Sequence, residues 1–252
     1  MKILMHLSYV GTAYCGYQIQ NNGITVQQKL NEATEALFGF PCDIVGCSRT
    51  DSGVHANHFC ATVTKKGEKD IFSSIPMEKF PMAISRFLPD DLSVFSAEWV
   101  EDEFHPRYGV KYKEYLYCIW NRPYRNPFLN DRSWHYPRPI TDEALSRMNQ
   151  AASYFCGKHD FTSYMAADTK ITDAVRTIYE AEVFRDGDTV YFRVSADGFL
   201  YNMVRILTGT LIAVAEDKIS PKDIPAITDA KNRACAGITA PARGLFLNKV
   251  VY

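Results

Sequence analysis

The order in which the hydrophobic period changes along this chain constrains its fold more than any other feature. Lys2 to Tyr9 alternates apolar and polar side chains, as a half-buried strand does. From Val26 the period lengthens: Val26, Leu30, Ala33 and Leu37 mark one helical face. Thr25 with Gln28 fits a capping box before that helix, and Gly39 fits its end. "CDIVGCS" and "HFCATV" read as two more strands. Pro76 to Phe87 reads as a helix whose first turn Pro81 limits, and "LSVFSAEWV" as a fourth strand. The sum is β-α-β-β-α-β, the order of a ferredoxin-like α+β unit with helices on one face of an antiparallel sheet.

The second half repeats the grammar. "KYKEYLYCIW" reads as a strand, followed by an insertion rich in Pro and Arg, "RPYRNPFLNDRSWHYPRP". Thr141 caps a helix running to about Phe155. "AVRTIYEAEVF" and "TVYFRVSA" flank Asp186-Gly187, which reads as a hairpin turn. A long helix is expected over Phe199 to Ala215, a short one from Pro221, and a terminal strand over "GLFLNKVVY". Two domains follow, 1–104 and 105–252. No flexible linker separates them, so one continuous sheet around a central cleft is expected.

Composition narrows the setting. The seven cysteines are scattered without a CxxC pair, and nothing ahead of them reads as a secretory signal. A reducing cytoplasm is the expected compartment. The longest apolar run, Ile206 to Ala215, is too short for a membrane span, so no membrane partner is expected. A net charge of -1 excludes a protein coated in positive charge, though not a local basic cleft. Between Phe104 and Arg125, five basic residues (Arg107, Lys111, Lys113, Arg122, Arg125) face one acid, Glu114, with seven aromatics interleaved. That composition suits a surface that grips a phosphate backbone and stacks bases. It suits a solvated strand pair equally well.

The densest polar stretch is "GCSRTDSGVHANHF" (46–59). Asp51 and His55 have helical metal spacing, but Gly53 and Val54 oppose a helix and no third ligand is suitably spaced. His159-Asp160 also lacks companions and reads as a polar turn or cap. Ser52 lacks the G-x-S-x-G flanks of a hydrolase elbow. Arg49 and Asp51 remain, at the exit of an apolar strand beside a glycine that lets backbone approach a ligand. Asp51 reads as a nucleophile or general base. Equally, the two residues read as an ion pair across a tight turn.

This stretch resembles the nucleophile motif of the tRNA pseudouridine synthase A family, roughly G-R-T-D-A-G-V-H-A, which stands here as Ser48 to Ala56. "YVGTAYCGYQIQ", "FLPDDLSV", "FHPRYGVKYKEYLYCIWN", "GKHDFTSY", "GFLYNMVRILTG" and "APARGLFLNKVVY" resemble further family elements over nearly the whole chain. The resemblance implies two ferredoxin-like halves around a basic cleft, and isomerisation of uridines 38, 39 and 40 in the anticodon stem-loop. It implies a homodimer in which each tRNA touches both subunits, with no metal and no organic cofactor. Asp51 falls in the slot of the catalytic aspartate, and Arg205 in that of the arginine that pairs with it. Tyr115 falls on the catalytic tyrosine that stacks on the base, and its hydroxyl is a candidate to handle a proton. Arg49 would hold the flipped nucleotide, with Arg107 and Lys111 also on the substrate. The chain departs from the family at Ser48 and Ser52, and at Asn57-His58, where the family carries a Gly-Gln pair. The alternatives are another tRNA position, ribosomal RNA, or a catalytically silent RNA-binding or chaperone module.

Overall fold

The computed structural model describes residues 1–166 and 173–252. The fold is α+β, with mixed β-sheet spanning much of the chain. The chain divides into two compact units, Met1–Lys111 with Leu247–Tyr252, and Tyr112–Phe246.

In the first unit the elements run β1 (Lys2–Tyr9), α1 (Val26–Phe38), β2 (Cys42–Gly46), β3 (His55–Lys65), α2 (Phe80–Ser85) and β4 (Leu92–Val100). β1 lies between β3 and β4, and β2 adds to β3, all antiparallel. The strand order is therefore 4-1-3-2. Alternation in β1 sends Ile3, Met5 and Leu7 into the core, opposite Val63, Ala61 and Phe59 of β3, and all six are fully buried. Burial of each large aliphatic chain contributes about 1.5–3 kcal/mol relative to exposure. Leu30 and Ala33 of α1 are buried as well. Thr25 caps α1 by accepting from the Gln28 amide, and Gly39 closes it in the left-handed conformation at φ 77°. Only half of the expected capping box forms, because the Gln28 side chain turns to Glu32 instead. α2 starts at Phe80, not Pro76. Residues 76–79 form a turn, in which Pro76 O accepts from Lys79 and Phe80, and Pro81 occupies the first helical turn.

The second unit holds β5 (Tyr112–Trp120), β6 (Trp134–His135), α3 (Asp142–Ser153), β7 (Gly157–Asp160), β8 (Val175–Asp186), β9 (Thr189–Ala196), α4 (Met203–Ala215) and α5 (Ile224–Asp229). The order is β5–β9–β8–β7. β8 and β9 form the hairpin, with Gly187 at φ 54°. The expectation of purely antiparallel sheet fails at β6, a two-residue strand inside the Pro/Arg insertion that pairs parallel with β5. β7 was not anticipated from sequence either. α4 begins at Met203, not Phe199, because Asn202 sits at φ 60° and interrupts helical geometry ahead of it. The helix is buried almost all round, as its apolar composition requires. The last strand, β10 (Leu245–Val251), pairs with β3.

Candidate active site

Residues 47–54 connect β2 to β3, and the chain from 9 to 17 holds them through main-chain amides and side-chain hydroxyls together. Tyr17 N donates to Thr50 O (3.1 Å), Gly53 N to Tyr14 O (3.4 Å), and Val54 N to Asp51 O (3.1 Å), which closes a tight turn around Gly53 at φ 76°. The Ser52 hydroxyl reaches Tyr14 O (3.3 Å), and the hydroxyls of Tyr9 and Thr50 bond at 2.8 Å. A Cβ on Gly11 would sit 2.0 Å from Val54 O, so only glycine allows this approach. His55 is fully buried and its Nδ1 accepts from Gly11 N at 2.9 Å. It is a strut of the loop, which explains the Asp51/His55 spacing without a metal. Asp51 is half-buried and Arg49 is exposed.

Beside this loop the first unit carries a cleft of about 250 Å³, lined by Tyr17, Gln27, Arg49, His105, Arg107 and Tyr108 among others, with no acidic residue in its wall. Arg49 and Arg107 thus share one cavity. The His105 ring lies 4.3 Å from the Tyr108 ring, and the Arg107 guanidinium sits 6.0 Å above Tyr108. Burial first, then Lys2 and Arg107, holds the His105 pKa below its usual value. The imidazole is therefore neutral, and its Nδ1 accepts from the amides of Arg107 (3.1 Å) and Tyr108 (3.3 Å). Tyr17 stacks on Phe59 with centroids 4.3 Å apart, and burial pushes its pKa well above the ordinary phenol value. Its hydroxyl makes no hydrogen bond among the described residues. Two cations beside the exposed Tyr108 ring suit a phosphate and a stacked base. Lys111 is exposed, lies outside this lining, and pairs its amide with Val251 O (2.7 Å).

In the second unit Tyr115 is 6% exposed on β5 and meets Phe199 edge-on at 4.9 Å. Tyr115 and Tyr117 share the more buried face of the strand, as its period of two dictates, and the Tyr117 hydroxyl donates to Pro241 O (2.6 Å). Arg205 is half-buried on α4 and does not simply reach into solvent. Its Nε donates to Ala240 O (2.7 Å) and its Nη1 to Asn202 Oδ1 (2.6 Å).

Tyr17, His105 and Tyr108 were not singled out from sequence. The last two stand in "FHPRYG", where aromatic and basic residues adjoin, a signal that could have found them. The stranded hydroxyl of Tyr17 has no sequence signal. His159-Asp160 is structural: the Asp160 carboxylate accepts from Thr162 N and Oγ1 and pairs with Lys231.

A family model described as tRNA pseudouridine synthase matches residues 151–252. The chain is 40% identical over 251 residues to tRNA pseudouridine synthase A of Thermoanaerobacter sp. (strain X514), covering 100% of this chain and 99% of that one. The corresponding protein of Clostridium acetobutylicum is 40% identical over 251 residues with the same coverage. That of Ruminiclostridium cellulolyticum is 42% identical over 256 residues, again covering 100% and 99%.

Proposed function

The chain belongs to the tRNA pseudouridine synthase A family, and on that premise we propose that Asp51 is the carboxylate with which it isomerises uridine to pseudouridine in the anticodon stem-loop, at positions 38, 39 and 40. The activity itself is that of a tRNA pseudouridine synthase. The observation that carries the Asp51 assignment is the clamp on 47–54, built from main-chain amides and the Ser52 and Thr50 hydroxyls. It fixes the backbone of the motif while leaving the aspartate's role to its side chain.

The reaction breaks the N-glycosidic bond, turns the uracil, and joins its C5 to C1'. The C5 proton passes to solvent and N1 gains one, so composition is unchanged. An ionised carboxylate suffices, either by attacking C1' or by assisting proton removal at C2'. A guanidinium beside it favours the ionised form and fixes its direction, which is the role proposed for Arg205. The target base must leave the stack. Tyr115 is proposed to take its face, Arg49 to hold the everted nucleotide, and Arg107 and Lys111 to hold neighbouring phosphates. Arg49 and Arg107 in one acid-free cleft support this.

The finer fold reading is two ferredoxin-like domains, 1–104 and 105–252, sharing one sheet around a cleft. It is supported by the 4-1-3-2 order of the first unit and by the succession β5-α3-β8-β9-α4 in the second. A homodimer gripping each tRNA with both subunits is proposed on the family resemblance. The cytoplasm is proposed on seven scattered cysteines that form no CxxC pair. The test is tritium release from uracil C5 in a labelled anticodon stem-loop. Release by wild type and none by Asp51→Asn supports the assignment, and equal release by both ends it.

A further inference from the structure

On the first unit's sheet, the face opposite Ile3, Met5 and Leu7 carries a second cluster of reactive side chains. His58 and Cys60 stand two apart on β3 and so point the same way, and His6 of β1 lies directly across from Cys60 in the ladder. His6 Nδ1 is 2.9 Å from His58 Nε2, and each nitrogen is 3.5 Å from Cys60 Sγ. We propose that His6, His58 and Cys60 form a binding site for one zinc-class ion.

The edge lengths carry the argument. An ion with bonds of about 2.0–2.1 Å to nitrogen and 2.3 Å to sulfur, in tetrahedral geometry, spaces its ligands roughly 3.3 Å (N to N) and 3.6 Å (N to S) apart. Both nitrogen–sulfur edges already have that length, and the nitrogen–nitrogen edge needs to open by a few tenths of an ångström. Strand register, not a loop, sets the positions, so little ordering remains at binding. Behind His6, Nε2 lies 3.0 Å from Glu98 Oε1 of β4. A neutral His6 donates through Nε2 and turns the lone pair of Nδ1 toward the cluster. A carboxylate behind the imidazole is the usual support of a metal-bound histidine. Phe95 flanks both rings, 5.7 Å from His58 and 6.4 Å from His6.

Two imidazoles and a thiolate select zinc and its borderline-soft neighbours over magnesium or calcium, which take oxygen. Binding replaces the hydrogen bond that His58 Nε2–H makes to His6 Nδ1, and the His58 proton moves to its Nδ1. The Cys60 thiol gives its proton to solvent and forms the metal–sulfur bond. The fourth position remains for water. The ion would tie β1 to β3 and stabilise the folded chain by mass action. His6 lies more than fifty residues from His58 and Cys60 in sequence, and strand pairing alone unites them.

The test uses the full chain carrying Cys235→Ser, which removes an exposed thiol. Co²⁺ is titrated as the probe and its absorption followed. The expected result is one Co²⁺ per chain with a thiolate-to-cobalt charge-transfer band, displaced by one equivalent of Zn²⁺. His58→Gln should weaken uptake by at least about a hundredfold, and Glu98→Gln by about ten- to a hundredfold. Cys60→Ser should abolish the band. Should that variant not fold, His58→Gln decides alone. Absent stoichiometric uptake, unchanged affinity in His58→Gln, or a band persisting in folded Cys60→Ser would overturn the site and leave three side chains that merely hydrogen-bond one another.

Discussion

Residues 47–54 and 236–244 are both irregular chain that delivers a strand, and they differ in whether the residue assigned to the chemistry also holds the segment. The first is fixed by the Tyr17, Gly53 and Val54 amides on carbonyls, by the close approach at Gly11 and by the Ser52 and Thr50 hydroxyls, and none of these bonds uses the Asp51 carboxylate. The second is fixed largely through side chains: Arg205 binds Ala240 O, the Tyr117 hydroxyl binds Pro241 O, and the Thr210 hydroxyl accepts from Gly237 N (2.9 Å). Where the anchoring bonds bypass the Asp51 carboxylate, the turn keeps its backbone when that side chain is changed. Side-chain anchoring gives one residue two duties. Removal of Asp51 should therefore separate activity from stability, and removal of Arg205 should not.

The largest expected effect follows from the first half of that contrast. Asp51→Asn should lower single-turnover rate by roughly three to four orders of magnitude, as loss of a catalytic carboxylate does, while tRNA affinity and Tm stay near wild type. A parallel fall in Tm would break the contrast. Next come the close approaches. A Cβ on Gly209 would lie 1.8 Å from Ile238 O and one on Gly11 2.0 Å from Val54 O. Each alanine should cost about 3 kcal/mol in denaturant unfolding, since backbone must shift. Gly11→Ala should in addition slow turnover, because Val54 and Asp51 belong to one turn.

Arg205→Lys keeps charge but loses the planar fork that serves Ala240 and Asn202 at once. About 1 kcal/mol of stability should go with it, the net worth of a hydrogen bond, together with part of the activity. A loss of activity alone would show that 236–244 does not depend on this side chain. In the cleft, Tyr108→Ala should weaken tRNA binding by about 1 kcal/mol through lost stacking, with Tm unchanged. Arg107→Gln should flatten the slope of log affinity against log salt by about 0.7.

The smallest effect concerns the ion pair upstream of the second segment. The hydrogen bond from Lys231, 2.8 Å away, is the main cause that holds the Asp160 pKa below its usual value. A depressed carboxylate stabilises the fold above its unfolded pKa and loses that contribution as pH falls through the folded one. Asp160→Asn should therefore lower Tm at neutral pH by at most about 2 °C, and the difference from wild type should vanish in acid.

Much of this was legible in the chain. The period of β1, the Thr25 and Thr141 caps and the Asp186-Gly187 hairpin are local signals, and local physics realises them. Elements set by neighbours were not legible. α4 starts late because Asn202 adopts a left-handed conformation, and β6 exists because β5 offers it an edge. The same divide runs through the site. Arg49 could be named from its place at a strand exit near Gly53, and Arg107 from the aromatics around it. Their meeting in one cleft, the stranded Tyr17 hydroxyl, and the alignment of His6 with Cys60 arise from pairing between distant segments.

The most direct test of the account is base-resolution mapping of pseudouridine in unmodified tRNA and ribosomal RNA incubated with the wild-type protein. Conversion confined to uridines 38, 39 and 40 of anticodon stem-loops is the expected result. Conversion at other tRNA positions or in ribosomal RNA, or none in the presence of intact, tRNA-binding protein, would contradict it.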